Sequence, residues 1–187
     1  MARTRKTYPP ARDGTRGGTL IAVQTRRFRV VGSPIGPLTL TWDDAAEAVC
    51  GLHVHDQRDR DPDPAFGEPD GGRVSALDDL AGELEEYFAG ERRHFTLPVD
   101  PPGTAFSRAV WTALRDVPYG AVTTYGALAA AIGRPRAAQA VGTANARNPV
   151  SLLVPCHRVV STAGRPSGGG PGAARKRLLL ELERGGP

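Results

Sequence analysis

Cysteine is nearly absent from this chain: its 187 residues hold only Cys50 and Cys156. Such sparse use, with no export signal at the start, points to a reducing compartment and free thiols and excludes a disulfide-stapled scaffold. Long apolar runs are lacking as well. The apolar stretch nearest the start, residues 20–23, is too short for an export or membrane segment, so a soluble, cytoplasmic protein with no membrane partner is expected. A strong charge of one sign is also missing: 24 Lys+Arg against 20 Asp+Glu leave a net charge of +4, which permits nucleic-acid binding without requiring it. Compact metal-ligand pairs do not occur. Cys50, His53, His55 and His94 are scattered, and His53 and His55 merely share one face of a strand, so neither a closed zinc site nor a cofactor is expected.

What is present is unevenly placed. Acidic residues crowd positions 56–91, whereas Arg134, Arg136, Arg147, Arg158, Arg165, Arg175, Lys176 and Arg177 lie in the C-terminal half, where a polyanion would dock. Residues 1–26 are basic and rich in Thr, Gly and Pro without apolar periodicity, which predicts a mobile tail. Two β segments then flank a Pro/Gly turn, Phe28 to Val31 and Leu38 to Trp42, and positions 49–54 read as a third strand of a small antiparallel sheet. Positions 61–72 read as a loop. After it Val74, Leu77, Leu80, Leu84, Tyr87 and Phe88 recur at helical spacing, as in one amphipathic helix packed on the sheet.

The chain breaks at Asp100-Pro101-Pro102-Gly103, which divides an N-terminal α/β unit, 27–102, from a mostly helical C-terminal unit, 103–187. In the second unit Phe106, Val110, Trp111 and Leu114 form one helical stripe. Thr124 can cap a helix running from Tyr125 to Ile132, and Gly133-Arg134-Pro135 turns into a further helix over 136–146, with Pro135 suiting its first turn. Two short helices across such a turn suggest a helix-turn-helix. Ala137, Ala138, Ala140 and Ala144 would let the second helix approach a groove or another helix closely.

The chemistry is concentrated in residues 148–160. An apolar run ends in Pro155-Cys156-His157-Arg158, where a thiol beside an imidazole and a guanidinium sits in electropositive surroundings that favour a reactive thiolate.

The run Pro155-Cys156-His157-Arg158-Val159-Val160 resembles the signature of the methylated-DNA-protein-cysteine methyltransferases, suicidal repair proteins for O-alkylated guanine. Ser33-Pro34-Ile35-Gly36-Pro37-Leu38, Val110-Trp111, Pro118-Tyr119-Gly120, Thr124-Tyr125-Gly126-Ala127-Leu128-Ala129, Ala140-Val141-Gly142 and Asn148-Pro149 are similar to further motifs of that family, in order, over residues 28–184. The resemblance implies an N-terminal α/β unit with a small antiparallel sheet and a C-terminal helical unit with a helix-turn-helix. It implies that Cys156 accepts the alkyl group in a single irreversible turnover, that His157 is its base through a bound water, and that Glu183 in the last helix orients His157. Asn148 would brace the turn before Cys156, and Tyr125 would donate a hydrogen bond or proton to the departing guanine. The carbonyls of Cys156 and Val159 would read the guanine amino group, with Gly169 and Gly170 in the loop facing the base. The partner implied is double-stranded DNA carrying an alkylated guanine, bound by a monomer, with the lesion flipped out of the stack. Thr124, Arg136, Ala137, Ala138, Gln139, Ala140, Arg147 and Arg158 would form the DNA-facing set.

Two positions depart from the family pattern. Gln139 stands where an Arg usually fills the space of the flipped base, and Gly169 stands, by ungapped count from Cys156, where an aromatic residue usually walls the alkyl pocket. They leave two other readings open: a lesion-binding relative, although those replace the reactive Cys, and a Cys-His-Glu enzyme for a small molecule without DNA.

Overall fold

The computed structural model describes residues 26–54, 66–166 and 170–185. Residues 1–25 of the expected tail, His55, positions 61–65 of the expected loop and Gly169 fall outside them, while Arg26 opens the first strand.

Strands β1 (Arg26–Val31), β2 (Leu38–Asp43) and β3 (Ala48–Val54) pair antiparallel in the order β3-β2-β1, with a register shift between Thr41 and Trp42. The turn between β1 and β2 is held by Gly36 N donating to Ser33 O at 3.1 Å. The predicted loop hides one more strand: β4 (Glu68–Pro69) lies parallel to β1, so the sheet is not wholly antiparallel. Its two residues show no alternation to read, and Pro69 fits only because β4 is an edge.

Helix α1 (Ser75–Phe88) covers the sheet, burying Leu77, Leu80, Leu84 and Tyr87, the stripe its spacing predicts. The remaining edge of the sheet, β3, is not left bare. Val49 exchanges backbone hydrogen bonds with Pro98 and Asp100, and Leu52 N donates to Pro149 O at 2.7 Å while Leu52 O accepts from Ser151 N at 3.1 Å. The edge strand is thereby protected. It also anchors, from the N-terminal unit, the segment that leads to Cys156. Leu52, Val150, Leu152 and Val154 belong to one buried cluster with α1 and the helices that follow, so the two units share a core.

Helix α2 (Ala105–Arg115) starts at Thr104, whose side chain accepts from Ser107 N. Helix α3 (Tyr125–Ala131) starts at Thr124, whose hydroxyl oxygen accepts from Ala127 N at 3.2 Å, as its sequence predicts. Helix α4 (Ala138–Ala146) begins two residues later than expected, leaving Arg136 and Ala137 outside it. Ala137 N donates to Arg134 O at 2.8 Å, so Pro135 occupies a tight turn rather than the first turn of the helix. Together α3 and α4 form the helix-turn-helix. Trp111 Nε1 donates to Ala144 O at 3.0 Å, which locks α2 against α4 and accounts for one of the small residues of that helix by packing.

A feature with no sequence signal follows. Strand β5 (Thr123–Thr124) pairs parallel with β6 (Val159–Val160), tying the start of α3 to the segment just after Cys156. The last helix, α5 (Gly170–Glu183), ends at Glu183, which is buried. Among the described residues no helix is long and apolar enough to cross a membrane.

Candidate active site

The approach to Cys156 is two tight turns in succession. Leu153 N donates to Ser151 O at 2.9 Å across Leu152, which has φ 71° and is buried; this three-residue turn is of the strained, positive-φ kind. Cys156 N then donates to Val154 O at 2.8 Å across Pro155, whose φ −78° and ψ 66° are those of the relaxed inverse turn, and a proline ring is already set for that φ. Arg158 N donating to Pro155 O closes a 3-10 turn over Cys156–Arg158.

Asn148 holds this doubled turn from inside. Its Nδ2 donates to Val154 O at 2.8 Å and its Oδ1 accepts from Val150 N at 3.1 Å. Asn145, which the sequence did not single out, donates from Nδ2 to Cys156 O at 3.3 Å. Its spacing, four residues after the apolar Val141 and three before Asn148, was the available signal, and the structure buries it. Cys156 O keeps a second lone pair.

Behind the thiol lies Glu183, which receives five hydrogen bonds. Oε1 accepts from His157 Nε2 at 2.7 Å, Arg158 Nη2 at 2.9 Å and the Tyr87 hydroxyl at 2.8 Å; Oε2 accepts from Arg158 Nε at 2.9 Å and Gly120 N at 3.1 Å. The motif Pro118-Tyr119-Gly120 thereby gains a physical reason. Ala121 N donates to Pro118 O, and Gly120, at φ 75°, takes the position in that turn which disfavours a side chain while aiming its amide at the carboxylate. Burial pushes the Glu183 carboxyl up, but the bonds from His157 and Arg158 outweigh it and hold the group at about 2. Glu183 is therefore ionised, and His157 Nε2 must carry the proton between them. Burial pulls the imidazole below its ordinary value against the opposing pull of Glu183, so His157 is neutral near pH 7. Its Nδ1 is then a basic lone pair, buried and without a protein partner.

Arg158 is not a phosphate contact. Its side chain is 9 % exposed, clamps Glu183 through two nitrogens, donates from Nη1 to Val117 O at 2.6 Å and lies 5.8 Å from the Tyr119 ring centre. A fork that fits a phosphate fits a carboxylate equally well, and here the carboxylate is internal.

The remaining residues of the DNA-facing set surround α3 and α4. Arg136, Gln139, Ala140 and Arg147 are exposed, Ala137 and Ala138 half-buried, and Thr124 spends its oxygen on the α3 cap while its proton remains to donate. Tyr125 packs its ring over Gly142 of α4. Val159 is buried in β6, and Gly170 opens α5. Cys50 is buried where Cys156 is half-buried; its Sγ donates to Thr41 O at 3.6 Å, and burial pushes its thiol up. His53 packs its ring 5.1 Å from that of Phe66, and no three ligand-type side chains cluster among the described residues.

A cavity of about 480 Å³ is lined by Phe88, Tyr119, Glu183 and Arg184 among others. Neither Cys156 nor His157 lines it, so it is no candidate for the alkyl pocket.

Comparison with known proteins agrees with the motifs. Residues 27–101 match the family described as "6-O-methylguanine DNA methyltransferase, ribonuclease-like domain", and residues 105–185 match "6-O-methylguanine DNA methyltransferase, DNA binding domain". The chain is 43 % identical over 157 residues to the methylated-DNA--protein-cysteine methyltransferase of Mycobacterium tuberculosis strain H37Rv, covering 84 % of this chain and 92 % of that one. It is 38 % identical over 156 residues to the protein of the same name from Methanosarcina acetivorans, covering 83 % and 97 %. Among solved structures, the M. tuberculosis O6-methylguanine methyltransferase superposes with a TM-score of 0.76 at 42 % identity, covering 87 % of this chain and 95 % of that one. The M. tuberculosis protein in complex with DNA gives 0.71 at 41 %, covering 86 % and 95 %. The chain belongs to the methylated-DNA-protein-cysteine methyltransferase family.

Proposed function

We propose that this protein repairs alkylated guanine in double-stranded DNA by direct reversal, moving the alkyl group from the guanine O6 to Cys156 Sγ. One observation carries the assignment of roles: Glu183, ionised and fully bonded, fixes His157 with its proton on Nε2 and a bare Nδ1 next in sequence to the thiol. Cys156 gives its proton to Nδ1 across a bridging water, and the thiolate attacks the saturated carbon of the alkyl ether. The carbon–oxygen bond breaks, its electron pair passes to the guanine, and the Tyr125 hydroxyl supplies the hydrogen bond or proton that makes guanine a better leaving group. The thioether left on Cys156 has no route back, so each molecule acts once.

DNA would lie along α3 and α4 in the minor groove, with Arg136 and Arg147 on phosphates and Thr124 beside them, while Ala137, Ala138 and Ala140 allow close approach and Gln139 faces the gap left by the flipped base. The Val159 carbonyl and the Gly169–Gly170 segment would line the base pocket. A monomer in a reducing compartment suffices, because every proposed group comes from one chain and the thiol must stay reduced. The test is to incubate the protein with a stoichiometric duplex bearing one O6-methylguanine and weigh it intact. One added methyl group on the peptide containing Cys156 is expected; repeated turnover, or a methyl group on Cys50, would overturn the assignment.

A further inference from the structure

We infer that Tyr87 is a positioning residue of this active site, through which the N-terminal unit sets the basicity of His157; the inference rests on the Cys156–His157–Glu183 reading above. Tyr87 stands in α1, 96 residues before Glu183, yet its hydroxyl donates to Glu183 Oε1 at 2.8 Å, the same oxygen that holds His157 Nε2 at 2.7 Å. Tyr87 is 1 % exposed, and its ring packs on Phe88 and Phe95 of its own unit and on Tyr119 of the C-terminal unit, so the hydroxyl reaches from one unit to the carboxylate of the other.

Two bonds sharing one oxygen compete for its charge. Burial first, then the neighbouring carboxylate, pushes the phenol far above its ordinary range, so Tyr87 stays neutral and acts toward Glu183 only as a donor. Each increment of charge drawn toward Tyr87 is withdrawn from the imidazole. The other groups facing the carboxylate are Arg158 and Gly120, which bind it directly, and Tyr119, which lies near it with Arg93 over its ring; Lys176 on α5 acts on His157 from a distance. None of these would be removed by a change at Tyr87.

The direction follows. In Tyr87→Phe the unshared charge on Oε1 holds the imidazolium more tightly, so His157 becomes harder to deprotonate and the acid limb of the rate profile moves up. A shift of about half to one pH unit is the size expected from one buried hydrogen bond to a charged group. The experiment measures single-turnover methyl transfer from a saturating O6-methylguanine duplex between pH 5 and 9, on the full chain, for the wild type, Tyr87→Phe, Phe95→Leu and His157→Gln. Phe95→Leu is the packing control, since it loosens the ring 5.4 Å from Tyr87 and leaves the hydroxyl in place. The inference holds if His157→Gln abolishes the acid limb, Tyr87→Phe moves it up, and Phe95→Leu lowers the melting temperature without moving it. An unmoved limb in Tyr87→Phe, or an equal shift in Phe95→Leu, overturns the inference and leaves the triad standing. A limb that survives His157→Gln overturns both.

Discussion

The two thiols of this protein occupy regions built on opposite principles. Cys50 sits inside a regular strand of the sheet, buried, its Sγ on the carbonyl of Thr41 and its thiol pushed up by burial. Cys156 sits where regular structure has been abandoned: a strained turn at Leu152, a relaxed one at Pro155, then a 3-10 turn, leaving the residue half-buried and next in sequence to His157. The strand spends its backbone groups on pairing and offers the thiol no base. The doubled turn instead frees the thiol and needs side chains to hold it, which is why Asn145 and Asn148 are buried there. Reactivity here is a property of the surrounding backbone as much as of the sulfur.

The largest effects should come from breaking that contrast. Cys156→Ala is expected to lose methyl transfer entirely, whereas Cys50→Ala should keep it, as read by intact mass after exposure to the methylated duplex. A Cys50→Ala protein that no longer transfers would mean the strand thiol takes part. Glu183→Gln should slow single-turnover transfer by about 10²-fold or more, the range in which a positioned base contributes. It should also cost stability, about 3–5 kcal/mol, because Arg158 is left buried without its counter-charge. Urea unfolding beside the kinetics separates the two losses: a variant as stable as the wild type would show that Arg158 finds another partner.

Acid should erode the Cys156 side of the molecule first. Glu183 is held at about 2 against an ordinary 4.5, so the stability it contributes is complete above about 4.5 and is lost as the pH falls toward 2. His157 is held below its ordinary 6.5; the unfolded chain gains a proton there that the folded one resists, so its contribution is complete above 6.5 and is lost as the pH falls below that value. Asp70, whose carboxyl is lowered by Arg29, adds to the more acidic stage. Urea midpoints should therefore be flat above pH 7 and fall in two stages, and His157→Gln should remove the upper stage alone. A single stage in the wild type that survives His157→Gln would contradict a neutral, buried imidazole.

Both regions were legible in the sequence, but to different depths. Alternation and helical spacing are local signals, and they located β1 to β3, α1 and the cap at Thr124. The proposed nucleophile was named through its motif. What the motif could not convey is which partner each side chain meets across the fold. Arg158 reads as a phosphate ligand until Val117, 41 residues earlier, and Glu183, 25 residues later, are brought to it. Tyr87 reads as an ordinary residue of an apolar stripe until the same carboxylate arrives. The pairing of β5 with β6 involves two residues on each side, too few to give a pattern. The start of α4 was misplaced because a proline fits a tight turn as well as a helix start, and the choice is made by the bond from Ala137 to Arg134.

The smallest expected effect separates activation of the thiol from delivery of the base to it. Gln139 is exposed on α4, on the side away from the buried Val141, Ala144 and Asn145, and only its backbone carbonyl is engaged, by Thr143 Oγ1 at 3.3 Å. Replacing it therefore disturbs neither the core nor the turn that carries Cys156. Arginine would bring length, charge and a planar face to the gap left by a flipped base, where glutamine brings only hydrogen bonds. The opposing cost is the unstacking of one nucleotide, a few kcal/mol, and it exists only in duplex DNA. Gln139→Arg should accordingly speed single-turnover repair of the duplex by roughly threefold to tenfold, a fraction of that cost, and leave the rate with free O6-methylguanine base unchanged. Equal acceleration of both substrates would place Gln139 in the alkyl pocket. No change in either would mean that extrusion is supported from the segments flanking α4, with Arg136 and Arg147 the next positions to vary.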